Sequence, residues 1–260
     1  MLASCLGRIY RAAINRIFGF DKLLEQRLPL LVRQEIDAAL LAFARGESGG
    51  RSLTPDVDQT ARFLASVSSA KFFLENMRMT HNMVRADSLL SFALKQCAID
   101  GLVLEFGVYQ GKSLRLIADQ IVQDVFGFDS FEGLPEDWTH LQRKGRFSLE
   151  GKIPKFEQSN VVLVRGWFED TLPVFLETHP GPVRFLHVDA DLYSSAVTVL
   201  SALRPRIVPG TVIVFDEYFN YPGWERHEHK AFQEFIHGTH LGFEYLGFAS
   251  SQCAVAVKIT

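Results

Sequence analysis

The sequence predicts an α/β fold built on a doubly wound, mostly parallel sheet, and three observations carry that prediction. From residue 101 short apolar runs alternate with stretches of helical periodicity, the rhythm of β-α-β units whose sheet is covered on both faces. The runs end at acids, at the place where a parallel strand emerges from the core. The last two runs, 243–248 and 253–259, are joined only by "ASSQ", too short for a crossover helix, so the final strand must run antiparallel.

Residues 1–45 read as helix. Leu23, Leu24, Leu28, Leu31, Val32, Ile36, Leu40 and Leu41 recur at roughly helical spacing. The first twenty residues are basic, with no acid before Asp21. The favoured reading is a helix packed on the core or on a second subunit, which makes a homo-oligomer one expectation; a basic segment resting on a membrane surface is the second, less favoured. "RGESGGRS", Arg45 to Ser52, is a Gly/Ser linker. Residues 55–98 again read as helix, with Thr54 as N-cap and Pro55 at the first helical position, and a second amphipathic stretch from Arg85 to Ala98. The strands follow: 102–106, 125–129, 161–165, 183–189, 211–215, 243–248 and 253–259. The expected architecture is therefore a Rossmann-like, doubly wound, mostly parallel seven-stranded sheet with an antiparallel last strand, preceded by N-terminal helices. It divides into a helical extension (1–50), a helical cap or substrate region (51–98) and a cofactor-binding domain (99–260).

Bulk composition narrows the function. Hydrophobic residues make up 47% of 260, enough for a sizeable core, and the net charge of −3 gives no reason to expect a nucleic-acid partner. Cys5, Cys97 and Cys253 are far apart and odd in number, which fits neither a disulfide framework nor a zinc site and suits a reducing compartment. No run approaches the ~18 apolar residues of a membrane span, and Arg8, Arg11 and Arg16 interrupt the N-terminus, unlike a secretory signal. The expected location is cytoplasmic.

In an open parallel sheet, ligands sit at the carboxyl ends of the strands. Those ends carry Glu105, Asp129, Asp189, and Asp216 with Glu217. The first turn, "VLEFGVYQGKS", offers Gly107 for a tight bend and Gly111 to open a helix. A phosphate-binding P-loop needs four residues between its glycines, whereas only Val108, Tyr109 and Gln110 lie here. Glu105 also repels polyphosphate and favours a cationic group such as an amino acid's ammonium. Asp129, 24 positions after Glu105, stands where an acid accepts hydrogen bonds from ribose hydroxyls. An amino acid joined to a ribose describes S-adenosylmethionine. Tyr109 and Ser113, in and just after the turn, are counted with its binding residues.

The stretches "LEFGVYQGKS", "FGFDSFEGLPED", "VRGWFEDTLP", "LHVDADLYSS" and "VIVFDEY" resemble class I S-adenosylmethionine-dependent methyltransferases, and among them the macrocin O-methyltransferase (TylF/MycF-like) family of sugar methyltransferases. The resemblance spans roughly residues 80–220. It implies that Glu105, Gly107 and Gly111 line the methionine end of the cofactor, that Asp129 with Ser130 binds the ribose, and that Gly166, Trp167 and Phe168 border the adenine. It implies a Mg²⁺ ion on Asp189, Asp216 and Glu217, where the family often carries aspartate at the last position. The N-terminal 50 residues share in no such likeness.

The acids support that chemistry on their own terms. Asp216 and Glu217 follow Asp189 by 27 and 28 positions, and adjacent strands lie ~4.8 Å apart, so the three can converge. A hard divalent cation relieves their repulsion and takes oxygen ligands. A hydroxylated small-molecule acceptor, a sugar above all, bound to that ion becomes more acidic and is fixed for in-line attack on the methyl group. Asp189 is the first candidate base, with Asp191 and His187 behind it; strand alternation would point all three to one side. The bland reading of Asp191 is an N-cap for the helix starting near Ser194. "RHEHK", Arg226 to Lys230, reads as a solvated helix surface. The long 130–160 connection, with Trp138, Arg143, Lys144 and Arg146, reads as a lid. The competing classes are a P-loop-like nucleotide-binding protein and a non-catalytic scaffold that retains the fold.

Overall fold

The computed structural model describes residues 57–139 and 141–260, together with the two-residue strands 47–48 and 51–52. The chain separates into two compact units, Met1–Thr60 and Ala61–Thr260. In the first, Glu47–Ser48 pairs antiparallel with Arg51–Ser52, so the Gly/Ser stretch read as a linker turns back on itself. The helix expected over 1–45 and the Thr54–Pro55 cap fall outside the described residues.

The second unit is a sheet between two helical layers. Its elements are α1 (Val57–Asn76, whose first turn belongs to the first unit), β1 (His81–Asn82), α2 (Ala86–Leu94), β2 (Leu102–Phe106), α3 (Lys112–Ala118), β3 (Val125–Asp129), β4 (Val161–Arg165), α4 (Phe168–Thr178), β5 (Val183–Val188), α5 (Tyr193–Leu203), β6 (Val212–Phe215), α6 (Glu228–His237), β7 (Phe243–Phe248) and β8 (Val255–Ile259). The strand order is β1-β7-β8-β6-β5-β2-β3-β4. Strands β2 to β6 pair in parallel, and β8 runs antiparallel to both β6 and β7. All seven expected strands are present. The eighth, β1, interrupts the helical reading of 55–98 by pairing in parallel with β7 at the sheet edge.

Alternation along the strands divides the core. Leu104, Phe106, Phe126, Phe128, Leu186, Val188, Ile213 and Phe215 pack against α4, α5 and α6. Val103, Val125, Phe185, Val212 and Val214 pack against α2 and α3. Such two-sided burial explains why the strands read as continuous apolar runs. The chain leaves β2 toward β3 on one side and returns as β5 on the other. That reversal opens a crevice at the carboxyl ends of β2 and β5. No helix among the described residues is long and apolar enough to cross a membrane.

Candidate active site

The crevice holds a cavity of about 330 Å³. Of the residues singled out in the sequence, Gly107, Tyr109, Asp129, Ser130, Trp167, Phe168, Asp189, Asp191, Asp216 and Glu217 line it. The 130–160 connection adds Gly133, Leu134, Pro135 and Phe147, and α4 and α5 add Glu169 and Ser195.

The glycine turn is built by close approach. Gly107 has φ +94°, and a Cβ there would lie 1.7 Å from the Asp189 carbonyl oxygen. The turn after β2 thus presses on the loop after β5, and a side chain would separate them. Asp129 secures the same turn. One carboxylate oxygen accepts from the N–H groups of Val108 (2.8 Å) and Tyr109 (2.7 Å), and the other from Phe131 (2.6 Å). Each oxygen has two lone pairs, so acceptor capacity is left for a ligand in the cavity.

Five of the expected site residues do not line the cavity. Glu105 and His187 face each other across the β2–β5 ladder, both fully enclosed, with His187 Nδ1 2.9 Å from Glu105 Oε2. Burial lifts the Glu105 carboxyl above its usual range, and the His187 partner offsets only part of that rise. For His187 burial disfavours the charged imidazolium, but the Glu105 hydrogen bond and charge outweigh it and lift its pKa. His187 is therefore turned into the interior rather than toward a reacting hydroxyl. β5 ends at Val188, and the alternation expected to carry 187, 189 and 191 to one side stops there. Gly111 caps α3 with φ +77°, but the Phe156 ring covers it: a Cβ would meet Phe156 at 2.4 Å. Ser113 and Gly166 likewise do not line the cavity. Lys112, the lysine a phosphate-binding turn would use, pairs with Asp87 at 2.8 Å.

The acids gather differently from the expected trio. Ligand atoms of Asp189, Asp191 and Glu217 lie within 4.8 Å of one another. Asp216 lines the same cavity but stands outside that group. Asp191 is not the cap of α5: Leu192 occupies that position, and the helix starts at Tyr193. Instead Asp191 adopts φ +58°, a left-handed conformation that aspartate tolerates better than most residues, and its carboxylate joins the cluster. Burial comes first, then the charge of Asp216, in raising Asp189 and Glu217 well above the usual carboxylate range and Asp191 to about 7. The Glu217 Oε2 atom is buried and without a hydrogen-bond partner. Three hard oxygen donors, one of them unsatisfied, held close enough to repel, suit a divalent cation such as Mg²⁺.

The "RHEHK" stretch is solvated only at Arg226 and Lys230. Glu228 is fully buried and accepts from the backbone N–H groups of Ala190 (3.3 Å) and Glu217 (3.0 Å). His229 packs against Phe72, Tyr218 and Trp224. His227 sits 6.1 Å from the Trp138 ring, which also meets Tyr221 at 5.9 Å. Trp138 thereby ties the long 130–160 connection to the segment that follows β6. The only sequence signal for this burial was the apolar period of α6, through Ala231, Phe232 and Phe235.

The architecture is the α/β Rossmann-like methyltransferase fold, a mostly parallel sheet with antiparallel C-terminal strands. Residues 104–218 match the family profile described as a methyltransferase domain. The chain is 31% identical to the 8-demethyl-8-(2,3-dimethoxy-alpha-L-rhamnosyl)-tetracenomycin-C 4'-O-methyltransferase of Streptomyces olivaceus, over 54% of this chain and 63% of that one. It is 25% identical to the mycinamicin III 3''-O-methyltransferase of Micromonospora griseorubida, over 65% of this chain and 80% of that one. The chain thus spans less than two thirds of the Streptomyces relative's length. Among solved structures, the calicheamicin methyltransferase CalS11 superposes with a TM-score of 0.53 at 21% identity, covering 79% of this chain and 93% of that one. The O-methyltransferase NovP does so with a TM-score of 0.50 at 18% identity, covering 77% and 98%. At such identities the structural likeness is one of fold.

Proposed function

We propose that the protein is an S-adenosylmethionine-dependent O-methyltransferase that uses a divalent cation, Mg²⁺, to methylate a hydroxyl of a sugar or glycosylated small molecule, and that it belongs with the macrocin O-methyltransferases. The observation that carries the reading is the juxtaposition in one cavity of the Asp129-braced glycine turn and the Asp189–Asp191–Glu217 cluster. The named activities of the two relatives, both O-methyltransferases and one named for a rhamnosyl compound, support the acceptor class.

When bound, the cation supplies Lewis acidity that makes a coordinated hydroxyl a better nucleophile at neutral pH. Asp189, Asp191 and Glu217 would hold it. The turn at Gly107 and the carboxylate of Asp129 would orient the amino-acid and ribose parts of the cofactor, with Trp167 and Phe168 beside the adenine. Phe147, Leu134 and Pro135 close the cavity from the long connection and would exclude water. Asp189 remains the first candidate to take the hydroxyl proton. Asp191, beside it in the same cluster, is the second candidate. A P-loop reading has little to support it, because Lys112 is engaged by Asp87 and Gly111 is covered by Phe156.

The test is calorimetry with S-adenosylmethionine and S-adenosylhomocysteine, followed by a panel of hydroxylated acceptors with EDTA and with Mg²⁺ restored. Saturable binding, and methyl transfer that stops in EDTA and returns with Mg²⁺, are expected. Binding of neither compound refutes the methyltransferase reading; transfer indifferent to EDTA refutes the cation.

A further inference from the structure

Glu228 is the first residue of α6 and has no exposed surface. A buried carboxylate costs free energy unless hydrogen bonds or charge compensate it, and the positive end of a helix favours an anion. Packing alone would be served at lower cost by an amide or a leucine. What the carboxylate does that those cannot is accept a backbone N–H on each of its two terminal atoms. Oε1 takes Ala190 N–H, from the loop after β5, and Oε2 takes Glu217 N–H, from the loop after β6. Ala190 lies between Asp189 and Asp191, and Glu217 is the third member of the acidic cluster. One side chain therefore bridges the two loops at the residues whose spacing sets the cluster.

We propose that Glu228 is a positioning residue for the divalent-cation site, fixing the loop after β5 against the loop after β6 so that Asp189, Asp191 and Glu217 present their oxygens together. The inference rests on the cation reading above. Glutamine at this position keeps the shape but turns an NH₂ group toward one of the two N–H donors, breaking one bridge bond; aspartate is one methylene too short to span both.

The experiment measures Mn²⁺ binding to the cofactor-free protein by electron paramagnetic resonance, and S-adenosylhomocysteine binding by calorimetry, in the wild type, E228Q and E228D. Outer partners of metal ligands typically change affinity on the order of 10–100-fold, so E228Q should lose Mn²⁺ affinity in that range. Its S-adenosylhomocysteine affinity should stay within about twofold, because the glycine turn is braced by Asp129 instead. Equal Mn²⁺ affinity in E228Q and the wild type overturns the proposal. So does a parallel loss of both ligands, the mark of a merely structural role. Should E228Q fail to fold, E228D is read by the same two criteria. A wild-type protein that binds no Mn²⁺ removes the cation reading and this inference with it, whereas a wild type that binds Mn²⁺ but no S-adenosylhomocysteine refutes the cofactor reading alone and leaves the Mn²⁺ comparison to decide the inference.

Discussion

Replacing Asp191 by asparagine should stabilise the metal-free protein at alkaline pH, the opposite of what removing a buried polar contact normally does. Asp191 shares its pocket with Asp189 and Glu217, and its carboxyl is lifted from 3.8 to about 7, first by burial and then by the charge of Asp216. Between those two values the folded chain holds a proton that the unfolded chain has released. Stability therefore falls as pH rises through the window, and the loss is complete above about 7. A shift of that size corresponds to about 4 kcal/mol of destabilisation by the charged form. Asparagine cannot ionise, fits the left-handed backbone at φ +58° as well as aspartate does, and should recover much of that figure in EDTA at pH 8 while gaining nothing near pH 4. It should also abolish the rise in melting temperature that Mg²⁺ gives the wild type. Urea unfolding of both proteins in EDTA at pH 5 and 8, with a melting scan with and without Mg²⁺, checks this. If D191N is the less stable protein at pH 8 in EDTA, the carboxylates do not repel as described and the cluster is held by something other than a cation.

Two further outcomes follow from the glycine turn. Gly107→Ala forces the Asp189 carbonyl to retreat by more than about 1 Å and places alanine at φ +94°; overpacking and backbone strain together should cost about 2–5 kcal/mol, seen as a lower urea midpoint at unchanged slope. Asp129→Asn turns an NH₂ group toward backbone N–H donors that the carboxylate now satisfies; leaving a part-buried donor unpaired costs about 1 kcal/mol, the low end of the range for buried groups. S-adenosylhomocysteine affinity should fall at least roughly tenfold by calorimetry, and full affinity in a folded D129N would refute the bracing role.

Much of this molecule was legible along the chain because it rests on local patterns. Seven strands and the helices between them follow from the period and length of apolar runs, and the short "ASSQ" link dictated the antiparallel final strand. The acids that end β3 and follow β5 and β6 are legible as well, since an unpaired carboxylate is costly inside a strand buried on both faces. What the chain alone did not reveal depends on register and on loop conformation. Glu105 and His187 are 82 residues apart and meet because β2 and β5 pair in one register; read singly, each belonged to the crevice. Asp191 joins Asp189 and Glu217 in the acidic cluster from a loop residue at positive φ, an angle no spacing rule encodes. Glu228 read as a solvated glutamate in a charged pentapeptide, and only the folded loops around Ala190 and Glu217 enclose it. Hydrophobic periodicity determines which segments are buried. Which buried polar groups face one another is decided by contacts between distant segments, and those exist only once the strands have aligned.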